Sequence, residues 1–205
     1  MCIVQRKKYT EFKFVEVKMT DFNSLTASQL GDMIGQGKID PVELTEHFLI
    51  QIESSPIGRK IYSTVTFKLA LEQAKDSKMR ADTGRRLSSL DGVPISWKDL
   101  FDISGYPCEA GSQLLAGRLA IENAKVYNFA EAHGLICLGK THMSELAFSG
   151  LGLNPIRETP TMRELSRICS WWIFIRCGNV SLIRLGRGRD RFRYRGFSTY
   201  TSSLE

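Results

Sequence analysis

Some segments of this chain space their apolar residues with the period of an amphipathic helix, and others are short apolar runs typical of buried strands. Residues 24–37 carry an amphipathic helical pattern that their glycines would end. A stronger helix start follows, because Asp40 can cap the helix, Pro41 suits its first position and Glu43 completes a capping box. The pattern therefore predicts two helices within the first third of the chain.

The next hundred residues predict strands and helices in alternation. Strands are predicted at residues 62–67, 93–97 and 135–138, and helices at residues 68–81 and 124–133. The strands at 93–97 and 135–138 are almost entirely apolar, as strands buried on both faces are. This alternation indicates an α/β domain with a largely parallel sheet covered by helices.

Basic residues divide the chain into two unlike parts. Residues 1–154 contain 18 basic and 18 acidic residues, whereas residues 155–205 contain ten Arg, no Lys and four acidic residues. The net charge of +6 therefore belongs entirely to the tail, and the front part gives no indication of binding to nucleic acid or membrane. Neither a helical nor a strand period organises the tail.

The remaining composition indicates a cytoplasmic protein. The five Cys show no metal-ligand or paired spacing, which favours free thiols. Neither a bilayer-spanning apolar stretch nor the apolar core of a signal peptide is found.

The first 18 residues have two interpretations. The codons permitted for residues 15–18 include the purine run of a bacterial ribosome-binding site, so translation could begin at Met19 and residues 1–18 would be a non-native extension. An ordinary N-terminal strand accounts for the same residues equally well.

Lys98 is the candidate for chemistry in the front part. It ends an apolar strand, where partial desolvation would disfavour the ammonium, lower its pKa and allow the amine to act as a base. On these residues alone, a surface Lys that buries its stem and keeps its ammonium in water is the commoner interpretation.

Three segments make the chain resemble the amidase signature family. The segment LDGVPISWKDLFD at residues 90–102 resembles the family's lysine motif, and AGS at 110–112 matches the family segment after that motif. The block GLICLGKTHMSELAFSGLGLNP at 134–155 matches the next family block closely. Trp97 departs from the pattern, since the family usually has a smaller aliphatic residue there. The resemblance covers roughly residues 20–160.

The resemblance implies carboxamide hydrolysis, or transfer of the ammonia, by a Ser–cis-Ser–Lys triad. Lys98 would be the general base that deprotonates the middle serine, which relays the proton from the nucleophilic serine. Lys140 and Ser144 match the family block and are assigned packing and site-shaping roles. The three His show no triad arrangement. The implied partner is a small-molecule amide, no cofactor or metal is implied, and a homodimer is compatible with intact family members.

The two serine motifs that the family needs next are missing from residues 156–205. A reading frame moved forward by one base can, with permitted codons, turn residues 171–178 into GGSSSGAA and residues 191–203 into GSDTGGSVRIPAA. The codon of the cis-serine would overlap Ile173, and that of the nucleophile would overlap Phe197. A frameshift between Pro155 and Trp171 thus explains both the missing motifs and the composition of the tail.

The sequence therefore predicts a truncated amidase-signature fold: a mixed, mostly parallel sheet covered by helices, followed by a disordered or non-native tail. Residues 19–155 would be the N-terminal part of the domain and residues 156–205 an out-of-frame tail. We expect the chain to be catalytically inactive, and to aggregate or be degraded because apolar faces stay uncovered.

Two alternative interpretations of function differ from an amidase fragment, and the first of them rests on the tail. Its Arg residues alternate with Phe192, Tyr194 and Phe197, which is the composition of a single-stranded nucleic-acid binding segment. We do not expect such binding, because the change of frame already explains that composition. A non-catalytic scaffold is the third interpretation.

Overall fold

A computed structural model of the protein describes residues 22–56, 58–149 and 154–157. The helices are α1 (Ala27–Gly35), α2 (Pro41–Ser54), α3 (Gly58–Ile61), α4 (Phe67–Asp82) and α5 (Lys125–Ala132). The strands are β1 (Tyr62–Val65), β2 (Pro94–Lys98) and β3 (Ile136–Thr141). Short 3-10 turns lie at Phe22–Ser24, Gln113–Leu115 and Glu145–Ala147. The predicted extension at residues 1–18 and nearly all of the predicted tail lie outside the described residues.

The three strands form one mixed sheet in the order β1-β3-β2. β2 runs parallel to β3, with Lys98 opposite Thr141, whereas β1 runs antiparallel to β3. The predicted α/β class is confirmed, and one of the two strand pairings in this sheet is parallel. Pro94 is the first residue of β2, an edge strand here, where a residue without an N–H is tolerated.

Apolar side chains cover both faces of this sheet. On one face α1, α2 and α4 pack against Ile136 and Leu138, with Leu44 and Phe48 of α2 buried there. On the other face Cys137 joins Ile95 and the residues around α5. Because consecutive residues of a strand point to opposite faces, β3 contributes to both cores. This explains the uninterrupted apolar run that predicted the strand.

The helix starts are set by local hydrogen bonds, one of which differs from the prediction. Asp40 Oδ1 accepts a hydrogen bond from Val42 N at 2.7 Å, as expected for a capping residue. The reciprocal hydrogen bond predicted for Glu43 is not found among the described residues. A capping box lies instead at α1, where Thr26 N donates to Gln29 Oε1 at 2.8 Å and Gln29 N donates to Thr26 Oγ1 at 3.3 Å.

A buried carboxylate, Asp91, anchors the turn before β2. Arg80 donates to it through Nε at 2.8 Å and Nη2 at 2.7 Å, and Leu87 N donates at 2.9 Å. Burial alone would raise the pKa of Asp91, but these hydrogen bonds outweigh it and hold that pKa below its ordinary value. Gly134, at φ +83°, lies so close that an added Cβ would be 2.2 Å from Asp91 Oδ1.

Replacing Gly134 with Ala is therefore expected to destabilise the fold. The added methyl would push Asp91 away from Arg80 and would also occupy a left-handed backbone conformation, which together lower the free energy of unfolding by about 3 kcal/mol. Gly84→Ala is the matched control: its φ is +68°, but no atom lies within 4 Å of the added Cβ. Denaturant unfolding of both variants measures the difference, and equal losses would contradict the expectation.

Candidate active site

Lys98 is the last residue of β2, and it is partly exposed whereas the other four residues of that strand are buried. The residue before it, Trp97, anchors the strand end in the second core. Its ring lies 5.4 Å from that of Phe101 and 5.3 Å from that of Tyr127, measured between centroids. Trp97, the large residue that departs from the family pattern, thus packs in this core and fixes the backbone position of Lys98.

The environment of Lys98 makes its ammonium easier to deprotonate than that of an exposed lysine. Partial burial lowers the pKa of its ammonium below the ordinary lysine value. Among the described residues, no ion pair or hydrogen bond to Lys98 Nζ is found. A lysine that is partly desolvated and lacks a counterion can give up its proton more readily than a lysine paired with a carboxylate.

Asp99 joins β2 to two neighbouring segments. Its N–H donates to Thr141 O at 3.0 Å, and its carbonyl accepts from Ala110 N at 2.9 Å. Its carboxylate lies 2.9 Å from Nζ of Lys140, which is fully buried on β3. The packing role that the sequence assigns to Lys140 therefore includes an ion pair. Sequence reasoning did not assign a role to Asp99, although a carboxylate directly after a buried strand is a readable sign of such a pair.

The AGS segment beside Asp99 has a tightly constrained backbone. Ala110 and Gly111 both have positive φ, of 48° and 66°. A Cβ on Gly111 would lie 2.7 Å from Asn154 Nδ2 and 2.8 Å from Met143 O, so only glycine fits there. The Asn154 side chain holds this arrangement by donating to Gly111 O at 2.8 Å and to Met143 O at 2.9 Å.

A second constrained turn contacts the AGS segment. Leu146 and Ala147 have φ of 48° and 57°, and Leu146 N donates to Ala110 O at 2.9 Å. Ser112 Oγ donates to Glu145 Oε1 at 2.8 Å. Non-glycine residues with positive φ are uncommon, and they concentrate where a structure needs a particular backbone shape. These two turns therefore contact each other beside Asp99, the residue after Lys98.

The side chains of Ser144, His133 and His47 contact residues that are close to them in sequence. Ser144 is buried, and its Oγ donates to Ser149 O at 3.2 Å; its site-shaping role stays a prediction. His133 Nδ1 lies 2.7 Å from Phe129 O, and His47 Nε2 lies 2.9 Å from Gln51 Nε2. Both rings thus contact residues one helical turn away.

The described thiols are buried and unpaired. Cys108 and Cys137 are free, and burial raises the pKa of both, for Cys137 to about 11. A thiol with a raised pKa is a poor nucleophile at neutral pH. The other three cysteines lie outside the described residues.

The described part of the chain offers neither a metal site nor a membrane span. No group of three or more His, Cys, Asp or Glu there could hold a metal ion. No helix within those same residues is long and apolar enough to cross a membrane. The positions at which the shifted frame would encode serines, Ile173 and Phe197, lie outside the described ranges.

A family model and curated proteins match the front and middle of the chain. The model named Amidase matches residues 43–165. The glutamyl-tRNA(Gln) amidotransferase A-subunit of Acinetobacter baylyi is 37% identical over 129 residues, which is 63% of this chain and 26% of that protein.

Solved structures match the same part of the fold. The peptide amidase of Stenotrophomonas maltophilia superimposes with a TM-score of 0.58 at 24% identity, over 62% of this chain and 26% of its own. A bacterial aryl acylamidase of the amidase signature enzymes gives a TM-score of 0.60 at 23% identity, over 67% of this chain and 29% of its own. The chain thus spans about a quarter to a third of the length of the proteins it matches.

Proposed function

Since this chain belongs to the amidase signature family, we propose that residues 19–155 are the N-terminal part of a carboxamide hydrolase whose general base is Lys98. The observation that carries the proposal is the environment of that lysine. Its amine is partly buried and has no counterion among the described residues. The lysine ends a strand that the next residue, Asp99, ties to the AGS segment by accepting a hydrogen bond from Ala110 N.

The proposed reaction is acyl transfer through serine. The neutral amine of Lys98 accepts a proton from the relay serine, which accepts the proton of the nucleophilic serine as its oxygen attacks the amide carbon. The amide nitrogen leaves with a proton, and water then hydrolyses the acyl-enzyme. Backbone N–H groups would stabilise the oxyanion that forms at each addition.

A polypeptide with this sequence should be unable to complete that reaction. Residues 156–205 contain neither serine motif, and the serines in the tail lack the glycines that shape an oxyanion hole. Those serines are Ser166, Ser170, Ser181, Ser198, Ser202 and Ser203. Without nucleophile and relay, Lys98 has no acyl acceptor to activate. We expect no amide hydrolysis above the rate of a Lys98→Met control.

The proposed cause is a change of reading frame between Pro155 and Trp171. The family model stops matching at residue 165, which is inside this interval. Sequencing the gene tests the proposal: the frame one base forward should encode GGSSSG and then GSDTGGSVRIPAA. A gene in which that frame encodes only one of the two motifs, or neither, would contradict the proposed change of frame.

The proposed substrate class is carboxamides. The matched proteins bear the names of a peptide amidase, an aryl acylamidase and one subunit of an amidotransferase. These names agree only in the amide bond, and the proposal extends no further than that bond.

The described part exposes large apolar side chains that a soluble domain would usually cover. Leu114, Ile121 and Phe148 are 88%, 90% and 96% exposed. The full chain is therefore expected to bind an apolar fluorescent dye and to aggregate on heating.

Changing the three exposed apolar residues to Ser should reduce the dye emission by about half, because less apolar surface remains in contact with water. Three exposed polar residues changed to Ser, at Glu72, Gln113 and Lys125, serve as the matched control. A chain that binds no dye and melts in one sharp transition would contradict the expectation.

A further inference from the structure

Thr141, the last residue of β3, contacts β2 on both sides of Lys98. Its Oγ1 donates to Trp97 O at 3.2 Å, and its carbonyl accepts from Asp99 N at 3.0 Å. In the parallel ladder, Thr141 lies directly opposite Lys98. Thr141 is buried, so water does not compete for these hydrogen bonds.

The two hydrogen bonds act on the two peptide groups that meet at the Lys98 Cα. Trp97 O belongs to the peptide group that contains Lys98 N, and Asp99 N belongs to the group that contains the Lys98 carbonyl. The second group is held once more, since Phe101 N donates to Lys98 O at 3.1 Å. Because each peptide group is planar, holding both groups restricts φ and ψ of Lys98 and therefore the direction of its Cα–Cβ bond.

The pairing of Lys98 with Thr141 depends on a shift in the ladder. The register between β2 and β3 shifts by one residue after Ile95. An unshifted ladder would place Lys140 opposite Lys98, and such shifts change which side chain a strand presents at a given point. Gly139 lies at the shift, where an added Cβ would be 2.4 Å from a backbone oxygen of β1. The register therefore places a hydroxyl residue, and not a second lysine, opposite Lys98.

The hydroxyl of Thr141 is the feature that needs a reason. Val has nearly the same shape as Thr and favours strands as well, so β3 could form without the hydroxyl. A buried hydroxyl also carries a desolvation cost unless it is hydrogen-bonded. Here its hydrogen bond goes to β2, at the peptide group that precedes Lys98.

We propose that Thr141 is a positioning residue for Lys98: its hydroxyl and its carbonyl hold the two peptide groups on either side of the lysine and so set the direction in which the lysine side chain leaves the sheet. Thr141 acts through the backbone of Lys98. Its bearing on catalysis rests on the proposed function, whereas the hydrogen bonds do not.

The burial of the lysine amine depends on that direction. Burial lowers the pKa of the Lys98 ammonium, and no charged group of the described residues contributes to this shift. A loosened strand end would let the ammonium reach more water, so its pKa would rise toward the ordinary lysine value of about 10.4. A smaller neutral fraction of the amine would then be available to accept a proton.

Two measurements on the full 205-residue chain separate the hold on the backbone from its consequence. Amide hydrogen exchange, followed by mass spectrometry of the peptides, reports the opening of the strand end at the Asp99 N–H. Trace acetylation with isotopically labelled acetic anhydride at a series of pH values gives the midpoint of Lys98. Lys125, which is exposed at the start of α5, is the internal reference.

Thr141→Val removes the hydroxyl and keeps the shape of the side chain. Exchange of the Asp99 amide is expected to become about fivefold faster, because a hydrogen bond at the strand end is lost. Acetylation of Lys98 near neutral pH is expected to fall about threefold as its midpoint rises. Thr141→Ser, which keeps the hydroxyl, should have the exchange rate and the midpoint of the parent chain.

Thr45→Val is the matched control. Thr45 is buried, and its Oγ1 donates to Pro41 O at 2.7 Å within α2, so the substitution removes the same kind of hydrogen bond away from the sheet. This variant should have a lower melting temperature, with the exchange rate of the Asp99 amide and the Lys98 midpoint unchanged.

Each outcome decides the proposal. A Lys98 midpoint that stays at its lowered value in Thr141→Val would overturn it, whether or not exchange becomes faster, because the hydroxyl would then not affect the amine. Equal changes in Thr45→Val would also overturn it, since they would reflect a general loosening of the fold. If Thr141→Val does not fold, Thr141→Ser decides: it should fold with the parent values, and a raised midpoint, faster exchange or loss of the fold would contradict the proposal.

Failure of the proposed function would be recognised separately. It would appear as an ordinary lysine midpoint for Lys98 in the unsubstituted chain. The exchange rates of the Asp99 amide in the variants would then decide by themselves whether Thr141 holds the end of β2.

Discussion

Deleting one base between the codons of Pro155 and Trp171 is expected to turn an inactive product into one that hydrolyses simple carboxamides at least about 10³-fold faster. The deletion would bring the two serine motifs into the frame that encodes Lys98. Under the proposed function, serine, relay and base would then be joined in one polypeptide, and the covalent route through the nucleophilic serine would be open. Release of ammonia from small amides, followed with purified proteins of equal concentration, measures the change.

Two controls accompany that experiment. The uncorrected gene provides the background rate, and a corrected gene in which the codon overlapping Phe197 specifies Ala in place of the nucleophilic serine should return the rate to that background. A corrected, soluble product that remains inactive would show that the serine motifs are not what the chain lacks. Activity that survives the loss of the nucleophile would show that another group carries the reaction.

In the corrected protein, Lys98→Met is expected to lower kcat/KM by about 10³-fold or more, since a positioned base that belongs to a catalytic unit accounts for losses of this size. Lys98→Arg should be as inactive, because a guanidinium keeps the positive charge but cannot give up its proton near neutral pH. Lys125→Met, at an exposed position, is the matched control and should retain the parent rate.

The pH dependence of kcat/KM in the corrected protein is a second test of Lys98 as the general base. Only the neutral amine can accept a proton, so kcat/KM should rise with pH through the pKa of Lys98. Burial lowers that pKa, so the rise should be centred below the ordinary lysine value of about 10.4. A Lys98→Arg protein that keeps its activity, or a rate that falls over this range, would rule out the proposed base.

Local signals allowed much of the fold to be predicted. The start of α2 follows from Asp40 and Pro41, which act within a single turn. The helix predicted at 68–81 corresponds to α4, because its period and composition are also local properties. The capping box at Thr26 and Gln29 has a recognisable spacing, but the prediction began the helix at residue 24 and so missed it.

Contacts between residues far apart in sequence account for the differences between the predicted and the observed strands. The third strand was predicted to end at Leu138, where its apolar run stops. It continues to Thr141 because Asp99, a residue from another segment, neutralises the buried ammonium of Lys140. The antiparallel pairing of β1 likewise depends on a partner far along the chain.

The candidate site was predictable only in part for the same reason. Lys98 was found through a motif, which is continuous in sequence. Asp99, Asn154 and the turn at Leu146 contribute through contacts across the fold. The local sequence of Asn154 and Leu146 does not specify these contacts, and the position of Asp99 after a buried strand indicates an ion pair without specifying its partner.

The central position of β3 determines when this sheet can form during synthesis. β1 and β2 each pair with β3, which is the last of the three to be made, and a hydrogen bond from Ser63 to the carbonyl of Lys140 spans 77 residues. The nascent chain must therefore hold two finished strands without a partner until Thr141 leaves the ribosome, a period in which chaperones would have their greatest effect. The proposed change of frame after Pro155 would come later than this step, so every strand of the described sheet would still be translated from the original frame.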